Sequence, residues 1–174
     1  MNTNATPGLL WTATRDLHHA CEAHPVGAAM ASGKPPAVWY ADWLQALHQL
    51  HVVVDSVLPL ELGRIDRLDA DLVASGAVAT RSIAADKYTY TLNNELSLEG
   101  AAYVLTGAHL MGGELMRRRL EGYPTSHLEW DDRKVGLAWL KPVRERADLA
   151  QAARDCFAAL LSIMDEIQER HGNA

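Results

Sequence analysis

The segment Ala13-Thr14-Arg15-Asp16-Leu17-His18-His19-Ala20-Cys21-Glu22 holds the side chains best suited to chemistry, with two histidines, a thiol and three charged groups inside a helical pattern. Leu10, Thr14, Leu17, Cys21 and His24 recur at the spacing of one helix face. His18 lies beside that stripe, between Thr14 and Cys21. His19 is turned about 100° further round, because a helix has 3.6 residues per turn, and is expected to be more solvated. A neutral imidazole facing a cavity offers one ring nitrogen to a metal while a hydrogen bond holds the other. The alternative is an ordinary packed histidine, since ring nitrogens readily find partners.

A second group of unusual residues lies in the helical pattern from about Glu95 to Glu121, whose face carries Leu98, Ala102, Leu105, His109, Gly112 and Met116. Gly107, Gly112 and Gly113 sit inside it, where each costs about 1 kcal/mol relative to alanine. Close helix packing, a kink, or approach of the backbone to a flat ligand would each account for them. His48 and His51 are spaced i, i+3 with Asp55 one turn beyond, a spacing compatible with a shared metal, although surface and core roles are expected.

The elements that must position these residues read as helices. The first runs from about Gly8 to His24 and stops at Pro25, followed by a short helical turn and a break at Ser32-Gly33-Lys34-Pro35-Pro36. Tyr40, Leu44, Leu47, His51, Val54 and Leu58 mark a long helix ending near Pro59, and a weaker pattern covers Leu68 to Ser75. Gly76 to Asn94 loses periodicity and reads as loop with short helical turns. After Glu121, helices are expected over Trp130 to Arg146, with a possible break at Pro142, and over Leu149 to Arg170. No β alternation is present. The chain is expected to be all-α, one multi-helix bundle domain over residues 1–174 with residues 1–7 disordered.

At 174 residues, such a domain buries a sizeable core without disulfides or metal staples. A net charge of -6 argues against a nucleic-acid binder, and Arg117-Arg118-Arg119 is too short to be a footprint. The first residues lack a secretory signal pattern and no apolar run approaches membrane-spanning length, so a cytoplasmic protein is expected. Cys21 and Cys156 lack CxxC spacing and are expected as reduced core thiols.

A histidine on the first helix and a glycine-interrupted helix late in the chain suit the two walls of a slot for a planar macrocycle. Here the sequence resembles a family. Ala13 to Glu22 is similar to the proximal-helix signature of heme oxygenases, in which the histidine after the leucine is the axial ligand to heme iron; the resemblance makes His18 that ligand. Tyr103-Val104-Leu105-Thr106-Gly107-Ala108-His109-Leu110-Met111-Gly112-Gly113 resembles the distal helix, which in bacterial members often reads Y-V-x-E-G-S-x-L-G. His24-Pro25, Ser32-Gly33 and Tyr40-Ala41-Asp42-Trp43-Leu44 are similar to the path between the first two long helices, and Gly136, Trp139 and Arg144 to the segment closing the heme edge.

Two departures lie in the distal helix. Thr106 stands where the bacterial pattern has glutamate, and Met111 where it has a second glycine. With Gly107 setting the register, Ala108 falls where some members carry an aspartate that organises distal water; with Gly112 and Gly113 on the family's glycine pair, His109 falls there.

The resemblance implies a heme oxygenase: heme as cofactor and substrate, molecular oxygen as oxidant, biliverdin, carbon monoxide and ferrous iron as products, and an electron donor such as ferredoxin or a flavoprotein reductase. Gly107, Gly112 and His109 would form the distal side. Arg15, Arg144 and Tyr103 would meet the propionates, with Met111 also against the cofactor. His109 has three readings: proton relay, second axial ligand, or packed polar residue. A heme carrier or sensor on the same fold, and a cofactor-free helical interaction module, are the alternatives.

Overall fold

The structure, a computed structural model, describes residues 8–172. The expectation of disorder over residues 1–7 lies outside the described residues. Helix α1 (Leu9–Ala23) buries Leu10, Thr14 and Cys21, the predicted stripe, and the Thr14 hydroxyl is satisfied by donating to the Leu10 carbonyl at 2.7 Å. Pro25 does more than stop α1. His24 closes α1 and caps α2 (Pro25–Ser32), its Nδ1 accepting from the Val26 N–H at 3.2 Å, with proline at the first helical position where its missing donor costs nothing. The expected short turn is therefore an eight-residue helix. It ends at Gly33, whose φ of 77° is left-handed and where a side chain would overlap the Arg119 carbonyl oxygen.

Helix α3 (Ala37–Val54) is enclosed on more than one side. Tyr40, Leu44, Leu47, His51 and Val54 are buried as the stripe predicts, and so are Trp39 and Leu50, which lie off it. The helix gives way at Asp55 to two short 3-10 turns, Asp55–Val57 and Leu60–Leu62, so the predicted end near Pro59 is several residues late. Helix α4 (Ile65–Ser75) follows the weak pattern.

The stretch read as loop contains α5 (Ile83–Thr89). Its start is held by α8: Glu166 accepts from the Ser82 hydroxyl at 2.7 Å and from the Ile83 and Ala84 N–H groups at 3.0 and 2.9 Å. A carboxylate there satisfies otherwise unpaired helix donors. Gln49 of α3 adds bonds in both directions to the Ser82 backbone.

Helix α6 (Glu95–Arg119) starts in a reciprocal capping box of Asn94 and Ser97. Helix α7 (Arg133–Val143) begins after the Asp132 cap, three residues beyond the predicted Trp130, and contains Pro142 in its last turn. Helix α8 (Ala150–His171) is the spine: Ala153, Cys156, Phe157, Leu160, Ile163, Met164 and Ile167 are buried, and α1 and α6 both pack along it. No strand occurs among the described residues, so the fold is the expected all-α bundle. None of their helices is long and apolar enough to cross a membrane. Both cysteines are free and buried; burial pushes the Cys21 thiol up to about 11 and Cys156 to about 12.

Candidate functional site

On α1, His18 keeps 29% of its side chain exposed while its Nδ1 is sealed from solvent without a hydrogen-bond partner. The nearest carboxylate, Glu22 Oε2, stands 3.6 Å from that nitrogen, one turn on. The accessible part of the ring therefore lies away from Nδ1. Trp11 packs edge-on at 4.9 Å between centroids and Phe157 of α8 at 5.9 Å, fixing the ring plane. His19 is exposed, as its position on the helix predicts. Glu22 escaped notice in the sequence, although a carboxylate at i+4 from a candidate ligand was the available signal. Arg15 is exposed and makes no hydrogen bond or ion pair among the described residues.

Gly107, Gly112 and Gly113 of α6 divide by what they face. Gly107 is buried, and a Cβ there would meet Leu140 of α7 at 3.5 Å; at Gly113 it would meet the Leu128 carbonyl at 3.5 Å. At both positions an added methyl would stand in ordinary van der Waals contact. A Cβ on Gly112 would meet nothing within 4 Å. Gly112 shares an exposed, largely apolar face with Ala108, Met111 and Leu115 at i, i+3, i+4 and i+7 spacing, Met111 being 67% exposed. This face and His18 stand on two helices that share α8 as their support.

Three further elements meet at one end. The Arg144 carbonyl, past the end of α7, accepts the Leu10 N–H at 3.0 Å, so the start of α1 is tied there. The guanidinium pairs with Glu145 at 3.0 Å. Burial raises the Tyr103 hydroxyl pKa above its ordinary value, with the Arg144 charge opposing the shift. Tyr103 and Arg144, from different helices, thus share one electrostatic neighbourhood.

His109 turns toward α3 and the 3-10 turn Ser126–Leu128. Its ring lies parallel to His51 at 6.1 Å and edge-on to His127 at 5.5 Å. Each flanking imidazole is anchored through Nδ1 to a carboxylate: His51 to Asp55 at 2.7 Å and His127 to Asp71 at 2.6 Å. Desolvation, reinforced by His127, His51 and Arg64, holds the His109 pKa well below the ordinary imidazole value. Burial also lowers His127, against the pull of Asp71. Burial works to raise Asp55 and Asp71, but hydrogen bonds from their histidines and neighbouring N–H groups leave both below the usual carboxylate value. His48 pairs instead with Asp69 at 3.0 Å, so it and His51 serve different carboxylates and share no ligand position.

The His109 Nδ1, the His51 Nε2 and the Thr106 hydroxyl one turn earlier are sealed polar atoms with no hydrogen-bond partner among the described residues, as is the Trp130 indole N–H. Such groups are normally satisfied. A cavity of about 600 Å³, lined by His109, Arg117, Trp130 and Arg133, adjoins the cluster. The His109 ring is packed around by protein yet borders this space. Arg64, 1% exposed, lies 3.8 Å over the Trp130 ring and donates to the Leu62, Glu61 and Glu129 carbonyls. Sequence reading missed His127, Asp71 and Arg64, for no local motif links residues so far apart.

An all-α bundle in which one spine helix supports a histidine-bearing helix and a glycine-interrupted one has a heme oxygenase-type fold, and solved structures show the likeness directly. The chain superposes on heme oxygenase from Leptospira interrogans with a TM-score of 0.77 at 18% identity, over 91% of this chain and 97% of that one. It is similar to heme oxygenase-1 of the cyanobacterium Synechocystis in complex with heme (TM-score 0.75, 17% identity, 94% and 91% covered). It is also similar to heme oxygenase-2 of that organism in complex with heme and NO (TM-score 0.77, 17% identity, 94% and 86% covered). No protein-family model matches the sequence. No curated protein matches it either.

Proposed function

We propose that the chain is a heme oxygenase that opens heme to biliverdin, carbon monoxide and ferrous iron with molecular oxygen, taking electrons from a ferredoxin or a flavoprotein reductase. The carrying observation is the state of His18. One ring nitrogen is withdrawn beside Glu22, the rest of the ring is partly exposed, and Trp11 and Phe157 fix its plane. This is how a neutral imidazole is prepared to give its other nitrogen to a metal. The open face at Gly112, Ala108 and Leu115 suits a flat apolar ring, and the fold is one whose solved members include heme complexes.

When bound, heme supplies the redox-active iron and the ring that is opened. His18 would hold the iron. Arg144 and Tyr103, with Arg15, would meet the anionic propionates. The polar cluster supports the register in which His109 occupies the water-organising position, because the alternative, Ala108, is an exposed methyl with no polar function. A His109 imidazole kept neutral by burial has one nitrogen able to accept and one able to donate a hydrogen bond, and would thereby hold a proton at the distal side. Gly107 is turned toward Leu140 of α7, while Gly112 would offer bare backbone to the ring.

Hemin titration followed by addition of reductant in air tests the reading. A Soret band that decays to biliverdin, and altered iron ligation in His18→Ala, are expected; wild-type iron ligation in His18→Ala overturns the assignment. The exposure of Met111 on the open face favours one second reading, a heme carrier or sensor, since a thioether is an iron ligand. A stable six-coordinate spectrum under reductant, lost in Met111→Leu, would select it.

A further inference from the structure

We propose that His18, His19 and Glu22 form a site for one divalent first-row transition-metal ion, of the ferrous or zinc class, occupied in alternation with heme. The alternation, but not the ion site itself, rests on the reading of His18 as the heme ligand.

One ligand atom from each of the three side chains lies within 4.8 Å of the other two. The separation of 3.6 Å between His18 Nδ1 and Glu22 Oε2 is longer than a hydrogen bond. It is near the roughly 3.4 Å that separates two donors each about 2.1 Å from a tetrahedral ion. His18 Nδ1 makes no hydrogen bond among the described residues, which leaves its lone pair uncommitted beside the carboxylate.

The imidazoles are restrained before any ion arrives. Trp11 packs edge-on against both rings, at 4.9 Å to His18 and 6.3 Å to His19, and the two histidine rings are 6.1 Å apart. Restraint of this kind lowers the entropy lost on binding. Competing charges are few. Asp16 on the same helix is taken up by Arg154 at 2.8 Å, and Asp165 of α8 by His24 at 3.1 Å. Arg15 is the one free cation on the same helix among the described residues, and it extends into solvent.

Two imidazoles and one carboxylate, with the remaining positions open to water, form the donor set of catalytic zinc and of mononuclear ferrous iron. The neighbouring thiol does not join. Cys21 is buried and its Sγ faces the Phe157 carbonyl at 3.9 Å, so the site lacks the sulfur ligand that soft ions prefer. Exclusion of heme follows from the imidazole itself. A neutral ring has one nitrogen lone pair free to bind a metal, so His18 serves the ion or the heme iron, not both. Ferrous iron leaving an opened macrocycle would find, on the helix that had held it, a ligand set complete without the porphyrin.

Cobalt(II) added to the heme-free chain is the probe, read by visible absorption and by calorimetry, with Zn(II) in competition. One equivalent with a tetrahedral spectrum is expected, weakened at least about tenfold in His19→Ala. That variant should keep the wild-type hemin Soret band, and hemin should displace cobalt one for one. Equal cobalt binding by wild type and His19→Ala overturns the site. Full occupancy by cobalt and hemin together overturns the alternation. If His18→Ala loses cobalt yet keeps normal heme ligation, the ion site stands and the heme assignment of His18 falls.

Discussion

Gly100 of α6 lies directly against Ala152 of α8: a Cβ on Gly100 would overlap the Ala152 methyl and stand 2.9 Å from its carbonyl carbon. The two helices therefore cross backbone to backbone, and this contact sets how near the glycine-bearing wall approaches the spine. Gly100→Ala gains helix propensity but must push α6 away, so a net loss of about 1–3 kcal/mol is expected in urea unfolding.

The opposite sign is expected at Gly112. With nothing within 4 Å of an added methyl, Gly112→Ala should stabilise the heme-free protein by roughly 0.5–1 kcal/mol, the ordinary propensity gain. It should also weaken hemin binding, because the methyl stands where a ring would touch backbone. Paired urea and hemin titrations check both; tighter hemin binding would place the ring elsewhere.

His109 and His127 make stability fall on mild acidification. Both have folded-state pKa values below the ordinary imidazole value, so their contribution is complete above about pH 6.5 and is lost as pH falls through the lowered values. Asp55 and Asp71 act in a separate window. Their contributions persist above the ordinary carboxylate value of 3.8 and disappear only as pH falls through values lower still. Urea midpoints at pH 7.5 and 5.5 should differ in the wild type, and less in His109→Leu. An equal difference in both proteins would contradict burial of a neutral His109.

Arg144→Gln should weaken hemin binding severalfold, about 1 kcal/mol for a partly exposed cation, with the difference shrinking as salt is raised. The heme-free melting temperature should hardly change, because the tie to Leu10 uses the Arg144 backbone carbonyl. A salt-independent loss would point to a packing role instead.

Arg64→Met strips three backbone carbonyls of their donor, that of Leu62 buried and those of Glu129 and Glu61 partly so, and a loss of about 3 kcal/mol is expected in urea unfolding. Arg64→Lys should recover little, since one ammonium cannot reproduce a planar fork stacked on Trp130.

What the sequence disclosed follows how local each interaction is. The α1 stripe, the long α3 and the glycines of α6 were legible because helix periodicity and glycine cost act within a few positions. Helix α5 was not, because polar residues such as Ser82 and Asp86 look like loop until Glu166, some eighty residues later, supplies the carboxylate that holds its start. The end of α3 was misplaced because Asp55 accepts from the Arg64 and Ile65 N–H groups and turns the chain early. His18 stood out on its own helix. The environment of His109 did not, for His51, His127, Asp71 and Arg64 converge from three other segments and none announces the rest.

The spine helix also sets an order of events. Helices α1 and α6 lean on α8, yet α8 leaves the ribosome after both. Until it does, the two walls have no common support, and their juxtaposition depends on α1–α8 contacts that span more than a hundred residues and form slowly. A nascent chain displays His18 long before it has a groove, so ligand capture waits for the spine and α8 acts as its timer.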